Sequence, residues 1–302
     1  MFSRSFVKQP SIIETPRNPP HTQHKLYQPT KMHTKPLTVL GVALASTPLT
    51  AAQSLPPIPP IQNTTILPLH FGLLLHSSIT PIDLFGPLDV LTGLGMYYSN
   101  STGKLRLSVL STNSTPSTTN PPLNGLDFGV AIPPSITFDQ YRSLAQTNFT
   151  SAPEGVPNNG KLDVILVPGG GGTRADVSRE VAFVKEIYPS LQHIISVCTG
   201  STILARAGVL DNRHATTNKK AWAWASSFGT NVTYQPRARW VQDGNVWTGS
   251  GVSAAVDTTY AFVASIYGED AAQYVADASE YTRWLNASYD PFADRWGVGK
   301  SD

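Results

Sequence analysis

The chain has 302 residues, 40% of them hydrophobic and 14% charged, a formal net charge of +2 and one cysteine, Cys198. A single thiol excludes an internal disulfide and a Cys-x-x-Cys zinc site, and no stretch reaches the roughly 20 apolar residues of a membrane-spanning helix. Residues 1–52 hold Arg4, Lys8, Arg17, Lys25, Lys31 and Lys35 against Glu14, net +5, so the rest of the chain is net −3 and the overall charge points to no nucleic-acid partner.

Residues 1–31 read as an N-terminal extension. Residues 32–52, MHTKPLTVLGVALASTPLTAA, have the basic start, short apolar run and small residues of a secretory signal. The acid-poor first 35 residues also fit a mitochondrial presequence, and a leader that is neither would leave the protein cytoplasmic. Asn63, Asn100, Asn113, Asn148, Asn231 and Asn286 each open an N-x-[ST] sequon, against about three expected by chance, which favours secretion of a glycoprotein. A Pro-rich linker covers 53–64, one continuous domain 65–296, and a tail 297–302.

Within the domain, ILPLHFGLLL (66–75) predicts a buried strand and DLFGPLDVLTGLG (83–95) a helix with Leu84, Leu88 and Leu91 on one face. LRLSVLST (105–112) is a second strand, followed by a Ser/Thr/Pro-rich loop to about 125. KLDVILVPGGGG (161–172) is a third strand ending in four glycines; EVAFVKEIYPSL is a helix, HIISVC a strand, and TGSTILARAGVL a helix closed by Gly208. A short strand, HATTN, and a helix, AWAWASSFG, stopped by Gly229, come next. Then VTYQPRARWVQDGNVWTGS predicts strands joined at an Asp243-Gly244 turn. SGVSAAVDTTYAFVASIYG is a long helix, N-capped by Ser250 or Ser253, whose Gly251, Ala254 and Ala255 would let it lie close to the sheet; one further helix and an aromatic tail remain. Alternating strands and helices predict an α/β three-layer sandwich: a mainly parallel sheet, helices on both faces, plus a β-hairpin.

Cys198 then falls at the C-terminal end of a parallel strand, directly before a helix. Open α/β sheets bind ligands at that edge, a strand-turn-helix elbow aims a nucleophile out of the sheet, and a helix N-terminus lowers a thiol's pKa. A buried strand-end cysteine of no chemical role has the same sequence. The VPGGGG turn could leave N–H groups free for an anion or oxyanion, or serve only to join strand to helix; it contains neither a phosphate-loop nor a G-x-G-x-x-G pattern.

VPGGGGTR, SVCTGSTILARAGVLDNRHATTN, WTGSGVSAAVD and the early IDLFGPLDVL resemble the ThiJ/PfpI family, of the class I glutamine amidotransferase-like superfamily, over roughly residues 65–296. The resemblance implies that Cys198 is the elbow nucleophile and that Asp83 is the acid bonded to its thiol; read alone, Asp83 would be the N-cap of its helix. It also implies that Gly170 and Thr199 supply the N–H groups of an anion pocket; Gly169, Gly171 and Asn218 are further candidate pocket residues, and His76, just past the first strand and near the Asp83 loop, is a candidate by position. Two departures narrow the activity. Thr199 follows the cysteine where proteases, glyoxalases and chaperones of the family carry His, and Asn218 stands where relatives usually have His, so no imidazole comes from that strand.

The pairing of Asp83 with Cys198-Thr199 is similar to the isonitrile hydratase branch, which implies Cys198, Asp83 and Thr199 as the catalytic set, a small-molecule substrate, no cofactor, no metal, and a homodimer. The alternatives are a ligand-binding or redox-sensing module of the same fold and an enzyme acting on reactive carbonyls. His70, His76, His193 and His214 read as surface or satisfied residues, and Trp222, Trp224, Trp240 and Trp247 as core or hairpin packing, some of them candidates for an apolar pocket wall.

Overall fold

A computed structural model describes residues 54–63, 66–122 and 126–299. The extension and signal expected over 1–52 lie outside the described residues, as does part of the linker. The elements run β1 (His70–Leu74), α1 (Pro81–Thr102), β2 (Arg106–Ser111), β3 (Ser117–Thr118), β4 (Ala131–Ile132), β5 (Ile136–Thr137), α2 (Phe138–Gln146), β6 (Val164–Val167), α3 (Ser178–Ile187), β7 (His193–Val197), α4 (Ser201–Arg206), β8 (His214–Ala215), α5 (Trp222–Ala225), β9 (Thr233–Tyr234), β10 (Trp240–Asp243), β11 (Val246–Gly249), α6 (Ala254–Tyr267), α7 (Glu269–Ala278) and α8 (Pro291–Arg295).

Seven strands form the main sheet in the order β10-β11-β7-β6-β1-β2-β5. All neighbours are parallel except β10, which pairs antiparallel with β11. The expected α/β sandwich is therefore present. Its central strands are apolar runs because both faces are covered, and side chains divide by the two-residue period of a strand. Ile165 and Val167 point to one core with Phe138, Phe183 and Leu204, under α2, α3 and α4. Val164 and Leu166 point to the other with Leu94, Trp247 and Phe262, under α1, α6 and α7.

Several local expectations need correction. The hairpin turn is centred on Gly244 and Asn245 rather than Asp243-Gly244: Asp243 pairs with Val246, and Gly244 takes φ 61° as the first turn residue. The Ser/Thr/Pro-rich loop contains β3, which pairs with β4 as a small antiparallel arm. HATTN supplies only the two residues of β8, paired with β9 outside the main sheet. The end of the chain holds two helices, α7 and α8, in place of one. Ser253 occupies the N-cap position of α6 without a side-chain capping bond; its hydroxyl accepts from Arg239. Ser250 bonds instead to the Asp290 carboxylate. The close approach of α6 is as expected: Ala254 and Ala255 are fully buried, and Ala255 packs on Val197 and Cys198. Of the six sequon asparagines, Asn63 is half-buried and the other five are exposed.

Candidate functional site

The site is assembled where β1, β6 and β7 end side by side. Past β1, Ile79 forms an antiparallel bridge with Gly170, and the Thr80 N–H donates to the Gly169 carbonyl at 3.0 Å. This clasp sets the start of α1 against the glycine turn. Thr80 holds the N-cap position and Pro81 the first turn, so Asp83 is inside the helix and not its cap, as it would be if the helix began near Leu84. Pro87 has no N–H to give the Asp83 carbonyl, which relaxes this turn of α1.

The Asp83 side chain is 2% exposed. Its Oδ2 accepts from the Gly169 N–H at 3.1 Å, while Oδ1 is buried without a hydrogen bond. A glycine is required at 169: a Cβ there would stand 2.8 Å from both Asp83 Oδ2 and the Cys198 Cβ. Burial pushes the Asp83 carboxyl up to about 7, and its contacts with the Cys198 thiol and the Gly169 N–H oppose the rise only in part.

Cys198 takes φ 58°, a left-handed conformation that a non-glycine residue holds only when its surroundings fix it. Its carbonyl lies 3.1 Å from both the Ser201 and Thr217 hydroxyls, themselves 2.8 Å apart, and this pair clamps the elbow. The thiol is nearly buried. Burial first, and the Asp83 carboxylate second, push it well above the usual thiol range; the Thr199 N–H and the Asn218 amide both face the sulfur and oppose that rise. The expectation that a helix N-terminus would lower the thiol is therefore overturned. α4 begins three residues later and is six residues long, so its dipole is too small to offset desolvation and a neighbouring acid.

Among the expected residues, Asn218 is brought directly to the Cys198 thiol: Nδ2 is 3.1 Å from Sγ, with Oδ1 held by the Ala221 N–H at 2.9 Å. Thr199 contributes its backbone only, since its hydroxyl accepts from the Gly170 N–H at 3.0 Å and meets the Thr173 hydroxyl. The Gly170 N–H is thus engaged and not open to an anion; the glycine turn holds Asp83 and Thr199 in place instead. Gly171 faces Pro122, away from the thiol. His76 is buried with its ring nitrogens 2.7 and 2.9 Å from the Ser77 and Pro168 carbonyls, and burial lowers its pKa. Among the described residues, no histidine bonds to Cys198 or Asp83.

On the far side of Asn218 from the thiol opens a cavity of about 310 Å³ whose walls include Ile82, Asn218, Val252, Phe292 and Trp296. None of the four tryptophans weighed from sequence lines it: Trp247 is buried edge-on to Phe262, Trp224 lies under Arg174, Trp222 abuts Tyr234, and Trp240 packs at the edge of the core. Behind the cavity is a polar framework that sequence reasoning missed. Arg239 pairs with Asp257 at 2.6 Å and Asp290 at 3.6 Å, and the Lys219 ammonium donates to Thr216, Thr217 and Ala238. Burial lowers Lys219 to about 8.

The DJ-1/PfpI family model matches residues 139–265. An isonitrile hydratase of Pseudomonas putida is 30% identical over 215 residues, 70% of this chain and 78% of that protein. The transcriptional regulator GbdR of Pseudomonas aeruginosa is 29% identical over 154 residues, 50% of this chain and 42% of the regulator. Among solved structures, a ThiJ/PfpI family protein from Pseudomonas syringae superposes with a TM-score of 0.56 at 26% identity, over 78% of this chain and 85% of that one. Drosophila melanogaster DJ-1beta superposes with a TM-score of 0.53 at 19% identity, over 72% of this chain and all of the other, a likeness of fold.

Proposed function

Since the chain belongs to the DJ-1/PfpI family, we propose that it is a cysteine-dependent hydratase that converts an isonitrile, R–N≡C, to the N-substituted formamide. The observation that carries this reading is the buried pair of Asp83 and Cys198, a carboxyl raised to about 7 beside a thiol pushed above its usual range, which together keep one proton once pH exceeds about 7, with Asn218 as donor to the sulfur and no imidazole bonded to either among the described residues.

The chemistry needs such a pair. The thiol proton passes to the Asp83 carboxylate as Sγ attacks the terminal isonitrile carbon, and Asp83 then gives that proton to the same carbon. The product is a thioimidate, R–N=CH–S–Cys198. Water adds to its carbon as Asp83 takes one water proton and gives it to the nitrogen; the C–S bond then breaks as the remaining hydroxyl proton passes by way of Asp83 to the sulfur, and R–NH–CHO leaves with the thiol restored. The sum is one isonitrile plus one water, with no oxidant, metal or cofactor. Asn218 and the Thr199 N–H support negative charge on sulfur in both sulfur-carbon steps. The group that must reach the thiol is linear and two atoms long, which suits a cysteine residue only 4% exposed, its sulfur contacted by Asn218.

The test is formamide production from a simple alkyl isonitrile such as cyclohexyl isocyanide by the wild-type chain and by Cys198→Ala. Turnover by the wild type and none by the variant is expected; turnover that survives loss of the thiol refutes the mechanism. A module that binds a small ligand without turning it over is the second reading, favoured by the similarity to GbdR. Absence of turnover in the wild type, with saturable ligand binding, would select it.

A further inference from the structure

The cavity next to Asn218 has more character than a short alkyl isonitrile would use. Ile82, Phe292 and Trp296 are 48, 49 and 47% exposed, three large apolar side chains around one cavity. The wall they form is fixed from behind. Asp290 caps α8 by accepting from the Phe292 N–H at 3.1 Å and bonds to Ser250 and Arg239. Arg237 grips Asp294 through two bonds of 2.7 and 2.9 Å. A wall held this way is preorganised for a flat apolar group.

Charge at the cavity is unequal. Lys219 has its donors spent on two carbonyls and a hydroxyl, and Arg239 is paired with two carboxylates. Lys220, on the same wall, is exposed and makes no ion pair or hydrogen bond with the described residues; its Nζ is 5.6 Å from the centre of the Trp296 ring. Arg295 approaches the same ring, with Cζ at 5.9 Å. A lining that includes Asn218, whose amide is 3.1 Å from the Cys198 sulfur, an aromatic wall and a cation at the rim together describe a ligand with a reactive head, a flat body and an anionic end.

We infer that the site takes isonitriles whose N-substituent is a single aromatic ring bearing a carboxylate, the ring lying against Phe292 and Trp296 and the carboxylate meeting Lys220. About 310 Å³ is at the small end of ligand cavities and suits one ring. The inference rests on the hydratase reading for the identity of the head group. It does not rest on it for the ring and the charge.

Calorimetric binding to the full chain carrying Cys198→Ala separates the two. Benzyl isocyanide and 4-(isocyanomethyl)benzoate differ only in the carboxylate, and the second should bind about 3- to 5-fold tighter at low salt, the worth of a half-exposed ion pair. Lys220→Gln should bring the two to equal affinity, and Trp296→Ala should weaken both. Equal affinities in the first variant, no measurable binding of either probe, or a preference that survives Lys220→Gln overturns the inference. Formamide release by the wild-type chain is scored separately. Selective binding without turnover sinks the hydratase reading and leaves the pocket assignment standing; turnover without selectivity does the reverse.

Discussion

Replacing Asp83 by Asn should remove a loss of stability that the wild type suffers as pH rises. The carboxyl ionises near 7 in the folded chain against 3.8 in its ordinary state, so between those values the folded protein binds a proton that the unfolded one has lost. Its pKa is raised, so the stability it contributes is complete below about 4 and drains away as pH climbs through 7. From pH 5 to pH 8 the linkage relation gives a loss of roughly 2 to 3 kcal/mol, most of it above pH 5.5. Cys198 adds nothing to this window, because burial keeps its thiol protonated there. Asn is close to the neutral carboxyl in shape and accepts the Gly169 N–H in the same way, so the advantage of Asp83→Asn over the wild type should be absent below about pH 4 and should widen by roughly 2 to 3 kcal/mol between pH 5 and pH 8. Urea unfolding of both proteins at the two pH values measures this. Parallel stability curves would refute the account, since they would mean that Asp83 ionises in the fold as freely as in the unfolded chain.

Activity has its own pH signature: the working form is the pair with one shared proton, so kcat/KM for an isonitrile should rise as pH passes about 7 and hold its plateau beyond the ordinary thiol range, with no imidazole limb. Asn218→Ala removes a donor to the sulfur, and the rate of Cys198 alkylation by iodoacetamide at fixed pH should fall about 10-fold; an unchanged rate would show that the amide does not support the thiolate. Arg239→Met strands two buried carboxylates, Asp257 and Asp290, and should cost about 3 to 5 kcal/mol in denaturant unfolding. Gly200→Ala would place a Cβ 2.2 Å from the Val167 carbonyl oxygen, so the elbow must shift: thiol alkylation should change markedly, whatever the loss in stability.

The sheet was legible because HFGLL, VILV and HIISV are buried on both faces, and only a parallel sheet with helices on either side makes continuous apolar strands from such runs. α2 escaped, although Thr137 and Gln140 form a capping box whose T-x-x-Q signature was available three residues apart. Cys198, Asp83 and Asn218 could be named from motif order, and the structure brings the three together. Their protonation could not be named, because it depends on how completely the surrounding residues exclude water. The same holds for Gly170, whose N–H looked open until the Thr199 hydroxyl was found on it. The cavity wall was invisible for a simpler reason: Phe292 and Trp296 are held at the cavity by long-range bonds such as those of Asp290 to Ser250 and Arg239, which leave no local pattern.

The bonds that define the surroundings of Cys198 join separate parts of the chain: Asp83 to Gly169, Gly170 to Thr199, Cys198 to Asn218. The first two require a crossover of the parallel sheet to have closed, and non-local closures of this kind are slow steps in folding. Helices and local turns can form while the thiol is still open to reagent. Burial of Cys198 therefore marks the end of folding rather than its progress, and a chain that protects its thiol has completed the topology on which every other property of the site depends.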